Sequence, residues 1–295
     1  MTTYKNSYDE PTNREDLTDV ITNISPDDTP ITTMIGKSKA KATYHEWPVD
    51  SLAAAKANAY LEGSGDTVSA APARVRKGNY TQIMKQGYGV SETQQAVDTA
   101  GVSNEYDYNM MKAMKEIGKD LEYAITMNAA KVQGSDTVAR QMGGIPAMVT
   151  TNTLANGGTA RFITNAILTS AAQKIWDAGG KASKVIVSSS NKVIISALTT
   201  SNTKNVEAAK KQITEAIDVI DTDFGRLEIV SSHYMPDTEI FVLDPRYLAV
   251  AWLRPFKKKD LPSTDDAESG IIKGEMTLEV KAEKAQAIIS DLKVA

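Results

Sequence analysis

Hydrophobic positions change their period along the chain, and each change marks an element. Between Glu105 and Gly134 there is no proline and one interior glycine, Gly118, and the large apolar residues Met110, Met114, Ile117, Leu121 and Ile125 recur at spacings of four, three, four and four. That spacing lines one face of a helix. At 1.5 Å per residue such a helix is roughly 45 Å long, whereas a compact chain of this length has a radius of gyration of about 19 Å. The helix therefore nearly crosses the molecule. After it, VARQMGGIPAMVTTN reads as a turn at Gly143, Gly144 and Pro146. From Thr159 the pattern becomes mixed. A helix is expected with Phe162, Ile163, Ala166, Ile167, Ile175 and Trp176 inward and Gly179 as its stop. It leads to a strand (KVIVSSS), a short helix (NKVIISAL) and the strands AIDVI, RLEIV and EIFVL. DPRYLAVAWLRPF follows as a turn and a strand. GEMTLEVKAEKAQAII alternates at Met276, Leu278, Val280 and Ala282, the mark of a half-buried strand.

The first third of the chain is different. Residues 7–28 hold seven acids (Asp9, Glu10, Glu15, Asp16, Asp19, Asp27, Asp28) and one base, Arg14, a local charge of −6. Within them Leu17, Val20, Ile21 and Ile24 form a short amphipathic helix that Asn13 can cap. The two prolines of SPDDTP end it. KATYHEWPVD (41–50) reads as a strand running into a turn, and NYTQIMKQGYGV (79–90) as its return. Between them, residues 50–78 offer only Leu52, Tyr60, Leu61, Val68 and Val75 as large apolar side chains. Such a segment cannot bury a core of its own. A long hairpin is expected, reaching out to order against another surface.

Composition adds mostly exclusions. Of 295 residues, 41% are hydrophobic and 24% charged, with a net charge of −4, so bulk charge points neither to nucleic acid nor to a membrane surface. Cysteine is absent, which excludes disulfides and thiolate chemistry. The start, MTTYKNSYDEPTN, is polar and acidic, unlike a secretory signal. His45 and His233 lie in strand-like contexts with no acidic or histidine partner at ligand spacing. No Walker loop, dinucleotide fingerprint or nucleophile elbow occurs. DTDFG (Asp221–Gly225) reads as a turn between strands, and the aspartate pairs of SPDDTP and STDDAES as turn chemistry. Glu275, Glu279 and Glu283, spaced by four, read as the solvent side of a strand. RPFKKKD (254–260) is a short basic cluster at a solvated or interface patch. No catalytic residue, cofactor site or metal site is expected. A hydrolase or transferase would need a site somewhere in the mixed part, and the shortage of His and Cys argues against one.

An isolated hairpin arm is marginal in water, and a helix as long as the molecule leaves apolar surface uncovered. Neighbouring copies cure both faults, so the residues alone point to a self-assembling structural protein of α+β class. The order of its parts resembles the major capsid protein of tailed bacteriophages with the Hong Kong 97-type fold, in a short-tailed-phage subfamily once catalogued as a domain of unknown function. The resemblance rests on TDVITNISPDDTPITTMIG; WPVDSL with YLEGSGD after it; Lys119–Gly134 with Gly143–Ile145; IWDAGGKASKVIVSSSNKVIIS; DTDFGRLEIVSSHYMP; and AVAWLRPFKKKDLPSTDDAESGIIKGEMTLEVKAEKA. These pieces spread over nearly the whole chain.

The resemblance implies an N-terminal arm (1–40), an extended β-hairpin loop (41–90), and a peripheral domain (91–149 and 251–295) with a spine helix at about 104–133. An α/β axial domain (150–250) completes it. It implies self-assembly as pentamers and hexamers into an icosahedral shell around packaged double-stranded DNA, touched without sequence specificity. Scaffolding, portal and decoration proteins are the further partners, and no membrane is. The virion, assembled in the bacterial host cytoplasm, is the expected location. Candidate inter-subunit contacts are Leu17, Val20, Ile21 and Ile24 on the arm, Arg74, Arg76 and Lys77 on the loop, and Arg254, Lys257, Lys258 and Lys259, a basic patch onto which a neighbour's acidic arm can dock. No isopeptide cross-link is expected, because no local motif marks Lys56, Lys77 or Lys85 for one. The chain begins at Met1 without a long helical segment, so no fused scaffolding region is expected. Two other shells or tubes remain open: an encapsulin-like compartment without DNA, and a phage tail or adaptor subunit.

Overall fold

A computed structural model describes residues 28–65, 73–97, 101–200, 219–263 and 266–293. In chain order its elements are α1 (Pro30–Met34), β1 (Gly36–Lys39), β2 (Tyr44–Val49), β3 (Val75–Tyr80), β4 (Gln82–Ser91), α2 (Glu92–Ala96), α3 (Glu105–Met127), α4 (Ile145–Met148) and β5 (Thr153–Leu154). Then come α5 (Asn165–Asp177), β6 (Lys184–Val187), α6 (Ser189–Thr200), β7 (Val219–Thr222), β8 (Gly225–Ser231), β9 (Ile240–Leu243), β10 (Leu248–Asp260), β11 (Ala267–Val280) and β12 (Ala287–Ile289). Three sheets result: β1-β10-β11-β4, β5-β12-β9-β6-β8-β7, and the two-stranded β2-β3.

The long helix α3 starts where Asn104 accepts a hydrogen bond from the Asp107 amide (3.0 Å), and Glu105 and Asp107 sit against the positive end of the helix dipole. It runs 23 residues, roughly 35 Å, and stops at Met127, short of the expected end near 133. Asn128 ends it. Its side-chain amide donates to the Met142 carbonyl (2.8 Å) and to Gln82 (3.2 Å), and its own carbonyl accepts the Gly144 amide (2.9 Å). These bonds outweigh the helix propensity of the following alanines. The face buried against β4 and β11 is Ala113, Ile117, Leu121, Ala124 and Ile125. Met114, expected inward, is 55% exposed. The two alanines take the sheet-facing positions and rotate the stripe away from it.

The return stretch of the hairpin divides at Thr81, whose amide donates to the Thr43 carbonyl (2.8 Å). Before it, β3 pairs antiparallel with β2 from Tyr44↔Tyr80 to Val49↔Val75. After it, β4 leaves the hairpin and pairs with β11 in the four-stranded sheet. β11 differs from its half-buried expectation: from Glu275 to Val280 every residue is buried, because α3 and the hairpin root pack on it while β10 and β4 pair along its edges. Past Val280 the chain turns through a 3-10 segment (Glu283–Ala285) and enters the other sheet as β12, between β5 and β9.

The six-stranded sheet packs α5 and α6 around a second core that includes Leu168, Ile175, Val185, Ile195, Ile229 and Ile289. Phe162 and Trp176, expected inward, are half-exposed. Phe162 precedes the Thr164 N-cap and lies under the Lys293 ammonium. Trp176 stands one residue, about 100° of helix, from buried Ile175 and rests on Phe224. Of AIDVI, only Val219 and Ile220 fall among the described residues, in β7. DTDFG is the turn from β7 to β8, with Gly225 at φ +134°.

Candidate assembly surfaces

The hairpin leaves the body on a root built from buried polar groups. The Trp47 indole N–H donates to the Val280 carbonyl (2.9 Å). Asn79, fully buried, donates to the carbonyls of Gly143 (2.8 Å) and Leu278 (2.9 Å) and accepts the Gly143 amide (2.9 Å). The Lys131 ammonium donates to the Gly78 carbonyl (2.9 Å) and lies over the Tyr44 ring. Gly78 is required, since a Cβ there would come within 2.8 Å of that ring.

The three glutamates spaced by four do not face solvent. Each fastens the root. Glu275 (4% exposed) accepts the Thr81 hydroxyl (2.8 Å) and pairs with Arg254 (2.7 Å) and Arg140. Glu279 accepts the Ser38 hydroxyl and stands 3.7 Å from His45 Nε2, an acidic partner for His45 that sequence spacing did not reveal. Glu283 pairs with Lys77 (3.2 Å) and accepts the amides and hydroxyls of Thr150 and Thr151. Burial opposes its charge, but those four hydrogen bonds win and hold its carboxyl at about 2.

Beyond the root, residues 50–61 are exposed throughout and without regular structure, and Leu52 (99%) and Leu61 (85%) stand almost wholly in solvent with Tyr60 (61%). Among the described residues nothing covers these large apolar side chains. Arg74, Arg76 and Lys77 are exposed on or beside β3. They pair within their own chain with Asp50 (3.2 Å), Glu46 (3.6 Å) and Glu283 respectively.

The arm is fastened at its base. Glu122, fully buried on α3, accepts the amides of Ile31 (2.8 Å) and Thr32 (2.8 Å) and the Thr32 hydroxyl (2.6 Å). Burial raises its carboxyl above the ordinary range, and these three hydrogen bonds only partly offset that. Nothing in the sequence around Glu122 flagged it, because its partners lie some ninety residues away. Leu17, Val20, Ile21 and Ile24 lie outside the described residues. The expected basic patch at 254–259 is not one patch. Arg254 is held by Glu275, and Lys258 turns toward the helix side, over the Tyr106 ring (5.1 Å) and beside Asp260 (3.4 Å). Lys257 and Lys259 are exposed, with no ion pair among the described residues. Among the described residues no group of His, Asp and Glu could hold a metal ion, and no helix is long and apolar enough to cross a membrane.

The profile of the SU10 major capsid protein family matches residues 1–293. A major capsid protein of Escherichia phage Phieco32 is 33% identical over 136 residues, 46% of this chain and 38% of that one. The alignment thus spans well under half of that relative. A chain of the cyanophage A-1(L) capsid asymmetric unit superposes with a TM-score of 0.72 at 12% identity, covering 96% of this chain and 98% of that one. A chain of the holo-SrpI encapsulin complex from Synechococcus elongatus does so with a TM-score of 0.62 at 9% identity, covering 96% and 94%. At such identities the superpositions show a shared fold. The chain belongs to the SU10 major capsid protein family and carries the Hong Kong 97-type capsid fold.

Proposed function

We propose that many copies of this chain, as pentamers and hexamers, close the icosahedral phage head around packaged double-stranded DNA. The observation that carries this reading is the loop of residues 50–65, which leaves a rigid root with Leu52, Tyr60 and Leu61 bare. A monomer gains nothing from them, whereas a neighbour that covers them gains apolar burial at every symmetry-related contact. The division of labour follows: an arm ending at α1, an extended loop on β2 and β3, a peripheral part formed by α3 with the four-stranded sheet, and an axial part formed by the six-stranded sheet. The last segment of the chain, β12, belongs with the axial part by its pairing. The protein has a structural role and no catalytic one. Leu17, Val20, Ile21, Ile24, Arg74, Arg76, Lys77, Arg254, Lys257, Lys258 and Lys259 remain candidate contacts with neighbours. Scaffolding, portal and decoration proteins are further partners, and assembly takes place in the bacterial cytoplasm. The encapsulin likeness supports one alternative, a compartment holding protein cargo. The particle contents decide. Polyhedral particles from phage-producing cells should hold double-stranded DNA that resists added nuclease. Particles holding only protein would overturn the head-shell reading.

A further inference from the structure

The four-stranded sheet has a second face, turned away from α3. Strand register places three lysines in one line across it: Lys257 of β10 opposite Lys273 of β11, and Lys273 opposite Lys85 of β4. Their sequence neighbours Met84 and Ile272 are buried on the α3 side, so the lysines project from the other. One pair step along, Lys259 stands opposite Ile271 on the same face. All four lysines are exposed and have no ion-pair partner among the described residues. Glu275, next along this face, already holds two arginines, Arg140 and Arg254, so it cannot neutralise them. Like charges directly opposite one another weaken a strand pair. Three in a row, in a chain with a net charge of −4, mark a surface awaiting an anion.

The anion must also satisfy apolar surface. Ile83, in register with Glu275, is 53% exposed on this face, and Ile271 is half-buried beside Lys259. A phosphodiester backbone would meet the lysines and leave the aliphatics in water. An acidic amphipathic peptide matches both. The chain holds such a segment in residues 7–28, with a local charge of −6 and Leu17, Val20, Ile21 and Ile24 at helical spacing. Its base, α1, is fastened by Glu122 on the α3 side of the sheet, and the lysine row lies on the opposite side. We propose that Lys85, Lys273, Lys257 and Lys259 form the docking site for the acidic N-terminal segment of a neighbouring copy. The proposal rests on the shell reading only in needing a neighbour. Exposed ion pairs are individually weak, so the aliphatic contacts share the hold.

Assembled particles of the full chain, mixed from isotopically light and heavy copies, would be treated with a zero-length carbodiimide and analysed by mass spectrometry. Amides should join acids of residues 7–28 to these four lysines between light and heavy chains. They should fade as salt rises from about 0.1 to about 1 M, where the Debye length falls from about 10 to about 3 Å. Two variants should lose them while still forming particles: Lys85→Gln/Lys257→Gln/Lys273→Gln, and the arm-side Glu15→Gln/Asp16→Asn/Asp19→Asn, which leaves the folded body untouched. Arm acids coupled to other lysines, or coupled only within one chain, would overturn the docking site while leaving the shell intact. So would lysines that react only after nuclease treatment, the mark of a DNA-facing wall. Absence of particles altogether would sink the shell reading and the docking site with it.

Discussion

Gly144 shows how a single residue fixes the turn behind the long helix. A Cβ there would stand 2.6 Å from the Ile125 carbonyl and 2.7 Å from that of Ala124, both backbone atoms of α3's last turns. Neither can retreat without unwinding the helix. Gly144→Ala should therefore cost about 1–3 kcal/mol and lower the melting temperature by several degrees. Gly118, inside the same helix, has open space around its Cβ position. Gly118→Ala should stabilise by up to about 1 kcal/mol, so a thermal scan of the two variants gives opposite signs. Glu283 makes a pH-dependent contribution. Its folded pKa, about 2, lies below the ordinary glutamate value of 4.5, so the folded state binds its proton more weakly than the unfolded chain. Its stabilisation is complete above about pH 4.5 and is lost as the pH falls toward 2. Glu283→Gln should cost about 1–3 kcal/mol at pH 7 and far less near pH 2.5. Urea midpoints at the two pH values check this, and a cost independent of pH would refute it.

At the scale of elements, the arm and the loop are each held by one small set of bonds. Glu122→Gln keeps the shape of the side chain but leaves one oxygen to accept three donors. Hydrogen exchange at the Ile31 and Thr32 amides should then quicken by about tenfold or more, equivalent to about 1.5 kcal/mol or more. Unchanged protection would mean that α1 is held by packing alone. Replacing residues 51–73 by an Asn-Gly turn closes β2 onto β3 with a favoured hairpin geometry. Because the root lies entirely below this point, stability should change by less than about 0.5 kcal/mol, while particles fail to form. Much of this organisation was legible in the sequence. The helix period of α3 was visible, and so was the loop, whose alanine-rich stretch cannot make a core. Element ends were not, because tertiary bonds set them: Asn128 answers to Gln82 and Met142, and Thr81 to Thr43. The spacing of Glu275, Glu279 and Glu283 reads locally as a solvent face. Most of their partners, from Ser38 to Thr151, lie too far along the chain for any local pattern to announce burial. The lysine row was hidden for a similar reason. It depends on β10–β11 register, which shifts between Trp252 and Lys257.

At the scale of the whole molecule, the described residues form two cores and a loop that the cores do not cover. Met111, Met114 and Tyr123 on α3 and Leu52, Tyr60 and Leu61 on the loop are apolar groups exposed by more than half. Among the described residues nothing covers these groups, and in the proposed shell many modest contacts repeated by symmetry would bury them. Electron microscopy tests this directly. The purified full chain would be imaged across a series of concentrations and salts, alone and together with the proposed scaffolding and portal partners. Closed, uniform polyhedral shells, or rings of five and six, are the expected result. A chain that stays monomeric under every one of these conditions would contradict it.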